Sequence, residues 1–152
     1  MTLVTQPEIT QLIKGLCDDV DSVPDYLIEG NNYQLPTTEW VLGNYSQDLC
    51  WQLQKLGMDQ YVPEVNCCRQ YAHFAMFIAS RCQLGAARNE ATPHPLAFGF
   101  VALIAQNGGG HAINCFVTRE NDLLALKFYE PQTQQLVELT PFERTHIQLI
   151  LI

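Results

Sequence analysis

Two different spacings of apolar residues divide the chain near residue 90. Before that point the repeat is helical. Ile9, Leu12, Ile13 and Leu16 recur at three- and four-residue steps, which predicts an amphipathic helix over 7–17 with Pro7 in its first turn. Residues 19–46 are rich in Asp, Asn, Pro and Tyr and read as a loop or a set of short turns. Ser46 is placed to cap a second helix, which runs to Leu56 with Leu49, Leu53 and Leu56 on one face and stops at Gly57. Asn66 then caps a third, from Cys67 to Gln83, which Gly85 ends. That helix is apolar nearly all round (Tyr71, Ala72, Phe74, Ala75, Phe77, Ile78, Ala79), the pattern of a central buried helix.

Beyond residue 95 the pattern becomes that of strands. Leu96–Gln106, His111–Thr118, Leu123–Tyr129, Leu136–Leu139 and His146–Ile152 predict four or five antiparallel strands. The turns between them fall at Gly108-Gly109-Gly110 and Glu120-Asn121-Asp122. Helices followed by a meandering sheet make an α+β fold, one domain over residues 1–152, with no internal repeat and no low-complexity tract.

Charge removes several classes of function. Eight Lys and Arg against 16 Asp and Glu give a net charge of -8, with no basic stripe to offset it. Nucleic acid and membranes are therefore not expected partners. The N-terminus lacks the basic start and long apolar run of a secretory signal, and no stretch approaches the ~20 apolar residues of a membrane span, so a cytoplasmic location is expected. The cysteines at 17, 50, 67, 68, 82 and 115 have no CxxC or zinc-like spacing, and no metal or other cofactor is expected. Cys17, Cys50, Cys82 and Cys115 read as small buried hydrophobes.

Cys67 and Cys68 differ because they open the third helix, where unpaired backbone N–H groups and the helix dipole favour a thiolate. A base should come from a strand packed across that helix end, and His111 opens a strand straight after three glycines. An acceptor to orient the base should come from the neighbouring strand, and Glu130 ends the next one before Pro131. Other polar residues have plainer roles. His73 points away from the helix start, His94 lies in a loop between prolines, and His146 begins the last strand. Asn114 faces the side of its strand opposite His111 and is expected to bond backbone.

Three segments carry a family resemblance: Tyr61-Val-Pro-Glu-Val-Asn-Cys-Cys-Arg-Gln-Tyr-Ala72, Gly110-His-Ala-Ile-Asn114 and Phe128-Tyr-Glu-Pro-Gln-Thr133. Together they resemble papain-like cysteine peptidases. The closer resemblance is to the C-terminal domain of fungal chimerolectins of the Marasmius oreades agglutinin type and to small bacterial and phage proteins similar to it. The resemblance implies Cys68 rather than Cys67 as the nucleophile, His111 as base and Glu130 as its orienting residue, with Gln60 as an oxyanion-hole donor. It implies a cysteine-dependent hydrolase or acyl-transferase, a small peptidase first, acting on a peptide or amide through an acyl-enzyme. The calcium requirement of the fungal domains does not carry over, because Arg69 and Gln70 stand where acidic residues are common. The alternative reading is a papain-like domain kept for binding or for homodimerisation, with little turnover.

Overall fold

The computed structural model describes residues 3–16, 23–88 and 93–152; the expectation for Cys17 lies outside them. Strand β1 (Leu3–Thr5) leads straight into α1 (Gln6–Lys14). Thr5 and Glu8 form a reciprocal capping box, which satisfies N–H groups that the first turn cannot pair internally. Ile9 and Ile13 are the buried face of this helix.

The stretch expected to be only loop holds more order. Strands β2 (Asp25–Leu27) and β3 (Asn32–Gln34) precede a short helix α2 (Thr38–Trp40) and a five-residue π-helix, Val41–Tyr45. Strand β3 pairs antiparallel with β1. Helix α3 (Ser46–Lys55) continues from the π-helix. Ser46 was expected to start a helix, but its backbone is already helical when the chain reaches it. Its hydroxyl donates to the Val41 carbonyl at 2.6 Å.

Helix α4 (Cys68–Ala87) is the longest element. Its N-cap is Cys67 rather than Asn66, whose side-chain amide instead donates to the Met58 and Gln60 carbonyls and folds the preceding loop back on itself. Gly85 does not end the helix, which runs on to Ala87. Nor is α4 buried on every side. Tyr71, Ala72, Ala75, Ile78 and Ala79 face the core, while Phe77 and Leu84 are 62% and 66% exposed.

The C-terminal half supplies β4 (Phe98–Ile104), β5 (Gly110–Glu120), β6 (Leu123–Glu130), β7 (Gln135–Val137), a short helix α5 (Pro141–Thr145) and β8 (Ile147–Leu151). The six-stranded sheet has the order β2-β8-β4-β5-β6-β7. The neighbours β4, β5, β6 and β7 form the expected antiparallel meander, but β8 returns to pair with β4, and β2 from the N-terminal half adds on in parallel. The β5–β6 hairpin closes through Asn121 and Asp122, both at positive φ, which matches the right-handed twist of the strands.

Side chains alternate across the sheet. Val101, Leu103, Ile113, Cys115 and Val117 pack with Ile9 and Ile13 of α1. On the other face Phe98, Phe116 and Tyr129 pack with Leu49 and Leu53 of α3 and with Tyr71, Ala75 and Ile78 of α4. The fold is α+β, with helices on both faces of a mixed sheet. Gly99 marks the closest approach within it. A Cβ there would stand 2.0 Å from the Leu151 carbonyl oxygen, so only glycine lets β8 lie this close to β4.

Candidate binding site at the strand ends

The site is built where β5 begins and β6 ends. Asn114 pairs with Tyr129 across the two strands, and this register brings His111 and Glu130 to the same end of the sheet. Their side chains meet there: His111 Nε2 and Glu130 Oε2 are 2.8 Å apart. The other carboxylate oxygen of Glu130 accepts from the backbone N–H of Gln132 at 3.1 Å, so the carboxylate is held from two sides. The His111 side chain is 32% exposed and that of Glu130 13%.

The hydrogen bond that the His111 ring donates to Glu130 raises its pKa above the usual imidazole value, against partial burial, and the nearby charges of Glu130 and Glu143 add to the rise. Glu143 comes from α5. Its Oε1 accepts from the N–H of Gln106 in the β4–β5 turn and its Oε2 from the N–H of Thr140. Beneath the pair, Tyr129 is fully buried and shares a 2.7 Å hydrogen bond with the Ser46 hydroxyl, so the strand residue next to Glu130 is tied to the end of the π-helix.

The two cysteines at the start of α4 are in different surroundings. Cys67 closes the capping box: its thiol lies 2.7 Å from Gln70 Oε1. Hydrogen bonding from the Arg69 N–H, with smaller help from the Gln70 N–H and the Arg69 charge, lowers its pKa against slight desolvation. Cys68 is partly buried and packs against Ala72, Phe100 and Ala112. It therefore lies beside the residue that follows His111. Among the described residues, however, no hydrogen bond joins its thiol to His111 or to Glu130. Gln60 is exposed and contributes its backbone carbonyl to Asn66. The sequence thus foresaw a single chain of thiol, imidazole and carboxylate. The structure shows the His111–Glu130 contact at the strand ends, and it adds a Cys67 cap at the start of α4.

The other described cysteines, Cys50, Cys82 and Cys115, and His73 and His146 lie outside this pair. Cys115 is fully buried, and burial pushes its thiol up to about 12. Cys50 and Cys82 are only partly buried, and the Cys82 thiol lies 3.4 Å from Asp48. Asn114 bonds backbone as expected, donating to the Ala72 carbonyl of α4 and the Gly99 carbonyl of β4, both at 2.9 Å. His73 stacks on Phe100 and His146 on Phe142. Sequence reasoning did not single out Glu143 or the capping role of Cys67. The Glu143 signal is present in the chain as Thr140-Pro-Phe-Glu143, the capping-box spacing. Among the described residues, no group of three or more His, Cys, Asp or Glu is placed to hold a metal ion, and no helix is long and apolar enough to cross a membrane.

No protein-family model and no curated protein matches the chain. Solved structures do. The Polyporus squamosus lectin PSL1a in complex with E64 superposes over 99% of this chain with a TM-score of 0.74 at 17% sequence identity. The Polyporus squamosus lectin bound to the epitope Neu5Acα2-6Galβ1-4GlcNAc does so over 99% with a TM-score of 0.71 at 16% identity. The chain spans about half the length of each of those lectin chains. These neighbours correct the functional part of the sequence reading. They are structures of a lectin, not of a peptidase, so the resemblance to papain-like cysteine peptidases does not hold, nor do the cysteine hydrolase or acyl-transferase activity and the peptide or amide substrate that it implied. At this level of identity the likeness concerns the fold: this chain has the fold of one half of a fungal lectin.

Proposed function

We propose that the protein is a carbohydrate-binding domain, and that the strand-end pair His111–Glu130, flanked by Cys68 at the start of α4, is its binding site. The observation that carries this reading is the state of the imidazole. One ring nitrogen is committed to Glu130, and the other, Nδ1, has no partner among the described residues although the side chain is a third exposed. Such a nitrogen is available to a ligand hydroxyl. Glu130, anchored by the Gln132 N–H, holds the ring in one orientation, and this lowers the ordering cost of recognition. Cys68 contributes an apolar wall through its packing with Phe100 and Ala112. Pyranose rings present both hydroxyl groups and C–H faces, which suits a polar pair set beside such a wall. Fold likeness to a lectin determined with a bound trisaccharide supports the ligand class.

The test is calorimetric titration of the chain with Neu5Acα2-6Galβ1-4GlcNAc and with the neutral Galβ1-4GlcNAc, in wild type, His111→Ala and Glu130→Gln. Binding in wild type that is weakened about tenfold or more by either substitution, as expected on losing a hydrogen bond of about 1.4 kcal/mol, supports the reading. Absence of binding to both sugars, or equal binding by all three proteins, contradicts it.

A further inference from the structure

A cavity of about 500 Å³ lies away from the His111–Glu130 pair, where α4 passes β3 and the segment over 93–96. The sheet register separates the two places. Phe98, on the cavity wall, pairs with Phe116, whereas His111 pairs with Leu103, five residues further along β4 and roughly 16 Å away at ~3.3 Å per residue. Met76, Leu84, Pro93, Leu96, Phe98 and Ile152 give the cavity apolar walls. Leu84 is exposed, so a large apolar side chain stands uncovered on this wall. Size and lining both suit a small-molecule site, for which volumes of about 300–1,000 Å³ are usual.

The polar atoms on these walls are divided unevenly between donors and acceptors. The Gln83 amide donates to the Gln34 side-chain oxygen and, at 3.0 Å, to the His94 carbonyl, which ties α4 to β3 and to the 93–96 segment. The Ser80 hydroxyl donates to the Met76 carbonyl at 3.0 Å. Tyr33 donates to the Ile152 carbonyl at 3.2 Å while accepting from the Gly30 N–H. Those donors are committed within the protein. Among the described residues, the Glu29 carboxylate and Gln83 Oε1 have no hydrogen-bond partner, and Ser80 Oγ keeps lone pairs. Only the His94 ring has an N–H left to donate. Charge points the same way. Glu29 is the one carboxylate side chain among the lining residues, and none of them is Lys or Arg. Arg81 of α4 is held by Asp48 at 2.8 Å, and Arg88, at the end of α4, is not part of the wall.

We propose that this cavity is a second ligand site, for a small molecule with an apolar body and one ammonium group, with Glu29 as the counter-charge. The body lies against Leu96 and Phe98, and Gln83 Oε1 and Ser80 Oγ are further acceptors for N–H groups. An anion of the same shape meets Glu29 and these acceptors, and loses water without gaining a partner. The site shares no residue with the His111–Glu130 pair and does not rest on the carbohydrate reading.

Tryptamine, an indole with an ammonium group on a two-carbon stem, tests this. Tryptophol is its neutral counterpart and indole-3-propionate its anionic one. Backbone amide shifts of the labelled full chain, followed near neutral pH, are expected to saturate with tryptamine and to change most over 28–34, 80–84 and 94–98. Tryptamine should bind about fivefold or more tightly than tryptophol, the effect of a charge-assisted hydrogen bond discounted for exposure. Indole-3-propionate should bind more weakly than either. Glu29→Gln, at an exposed position, should bring tryptamine to the tryptophol value and leave tryptophol unchanged. Ser80→Phe, also at an exposed position, fills the cavity and should abolish binding of both. The proposal is overturned by an absence of saturable tryptamine binding, by shifts centred elsewhere, or by indole-3-propionate binding as tightly as tryptamine. Tryptamine affinity unchanged in Glu29→Gln or in Ser80→Phe overturns it equally.

Discussion

Asn114 is the pin that fixes the start of α4 against the sheet, and replacing it tests that linkage quantitatively. The residue is fully buried, and its amide nitrogen donates at 2.9 Å both to the Ala72 carbonyl in the first turns of α4 and to the Gly99 carbonyl in β4. Asn114→Ala removes both hydrogen bonds, each about 1 kcal/mol net, and leaves a small cavity. A loss of about 2–4 kcal/mol is expected. Asn114→Asp is nearly isosteric but points lone pairs at two carbonyl oxygens. Kept neutral, it can donate to one carbonyl and loses the other; ionised, it is a buried charge facing two acceptors. Its folded-state pKa must therefore lie above the unfolded value of about 3.9. A raised carboxyl pKa means that the folded state holds its proton longer, so the aspartate variant is least impaired below pH 3.9. It then loses about 1.4 kcal/mol relative to wild type for each pH unit up to its folded pKa. Urea unfolding of wild type and both variants at pH 4 and pH 7 measures this. The Asp variant should be the better of the two at pH 4 and the worse at pH 7. Equal stability of Asn, Ala and Asp at pH 7 refutes the argument that this amide holds α4 to the sheet.

Other outcomes follow from the same contacts. Gly99→Ala drives a methyl group into the Leu151 carbonyl, a backbone atom that cannot swing aside, and should cost upwards of about 3 kcal/mol in urea unfolding; a near-neutral effect would show that β4 and β8 lie further apart. Tyr129→Phe removes the hydroxyl from the bond to Ser46, and a destabilisation of about 1 kcal/mol, with a shifted His111 ring resonance, is expected from its place beneath Glu130. The His111–Glu130 pair stabilises the fold most below the unfolded imidazole value of about 6.5, and this contribution fades as pH rises through the raised folded value. Glu130→Gln should flatten that part of the stability profile above the unfolded imidazole value, and a profile unchanged by the substitution would refute the pairing. Among the five described cysteines, iodoacetamide followed by mass spectrometry should modify Cys67 first, because its pKa is lowered, and Cys115 last; early labelling of Cys115 would contradict its burial.

Much of the frame was legible because each element follows a simple period. The 3-4 spacing of Ile9, Leu12 and Ile13 and the alternation through β5 reflect which side chains reach the core, and both appear in the fold with ends shifted by a few residues. Residues 23–45 were not legible. Strands β2 and β3 are three residues each, too short for a period, and exist only because β8 and β1 supply their partners. Gly85 misled because propensity alone suggests a stop, while the packing of Ile78 and Ala79 on the core carries α4 past it. At the site, His111 and Glu130 could be paired from strand order, since an antiparallel hairpin returns the end of one strand to the start of the other. The role of the thiol could not. Adjacent residues at a helix start point in different directions, and only the fold shows that Cys67 turns back onto its own helix while Cys68 packs inward. A residue order shared with thiol enzymes therefore did not establish their chemistry.

The claim that His111 and Glu130 form a carbohydrate site is tested most directly by backbone amide shift mapping of the labelled chain during titrations with Galβ1-4GlcNAc and with Neu5Acα2-6Galβ1-4GlcNAc. The account predicts saturable shifts concentrated at 110–112, 130–132 and 67–70, and their loss in His111→Ala. Saturable shifts clustered elsewhere, or none at millimolar sugar, would contradict it.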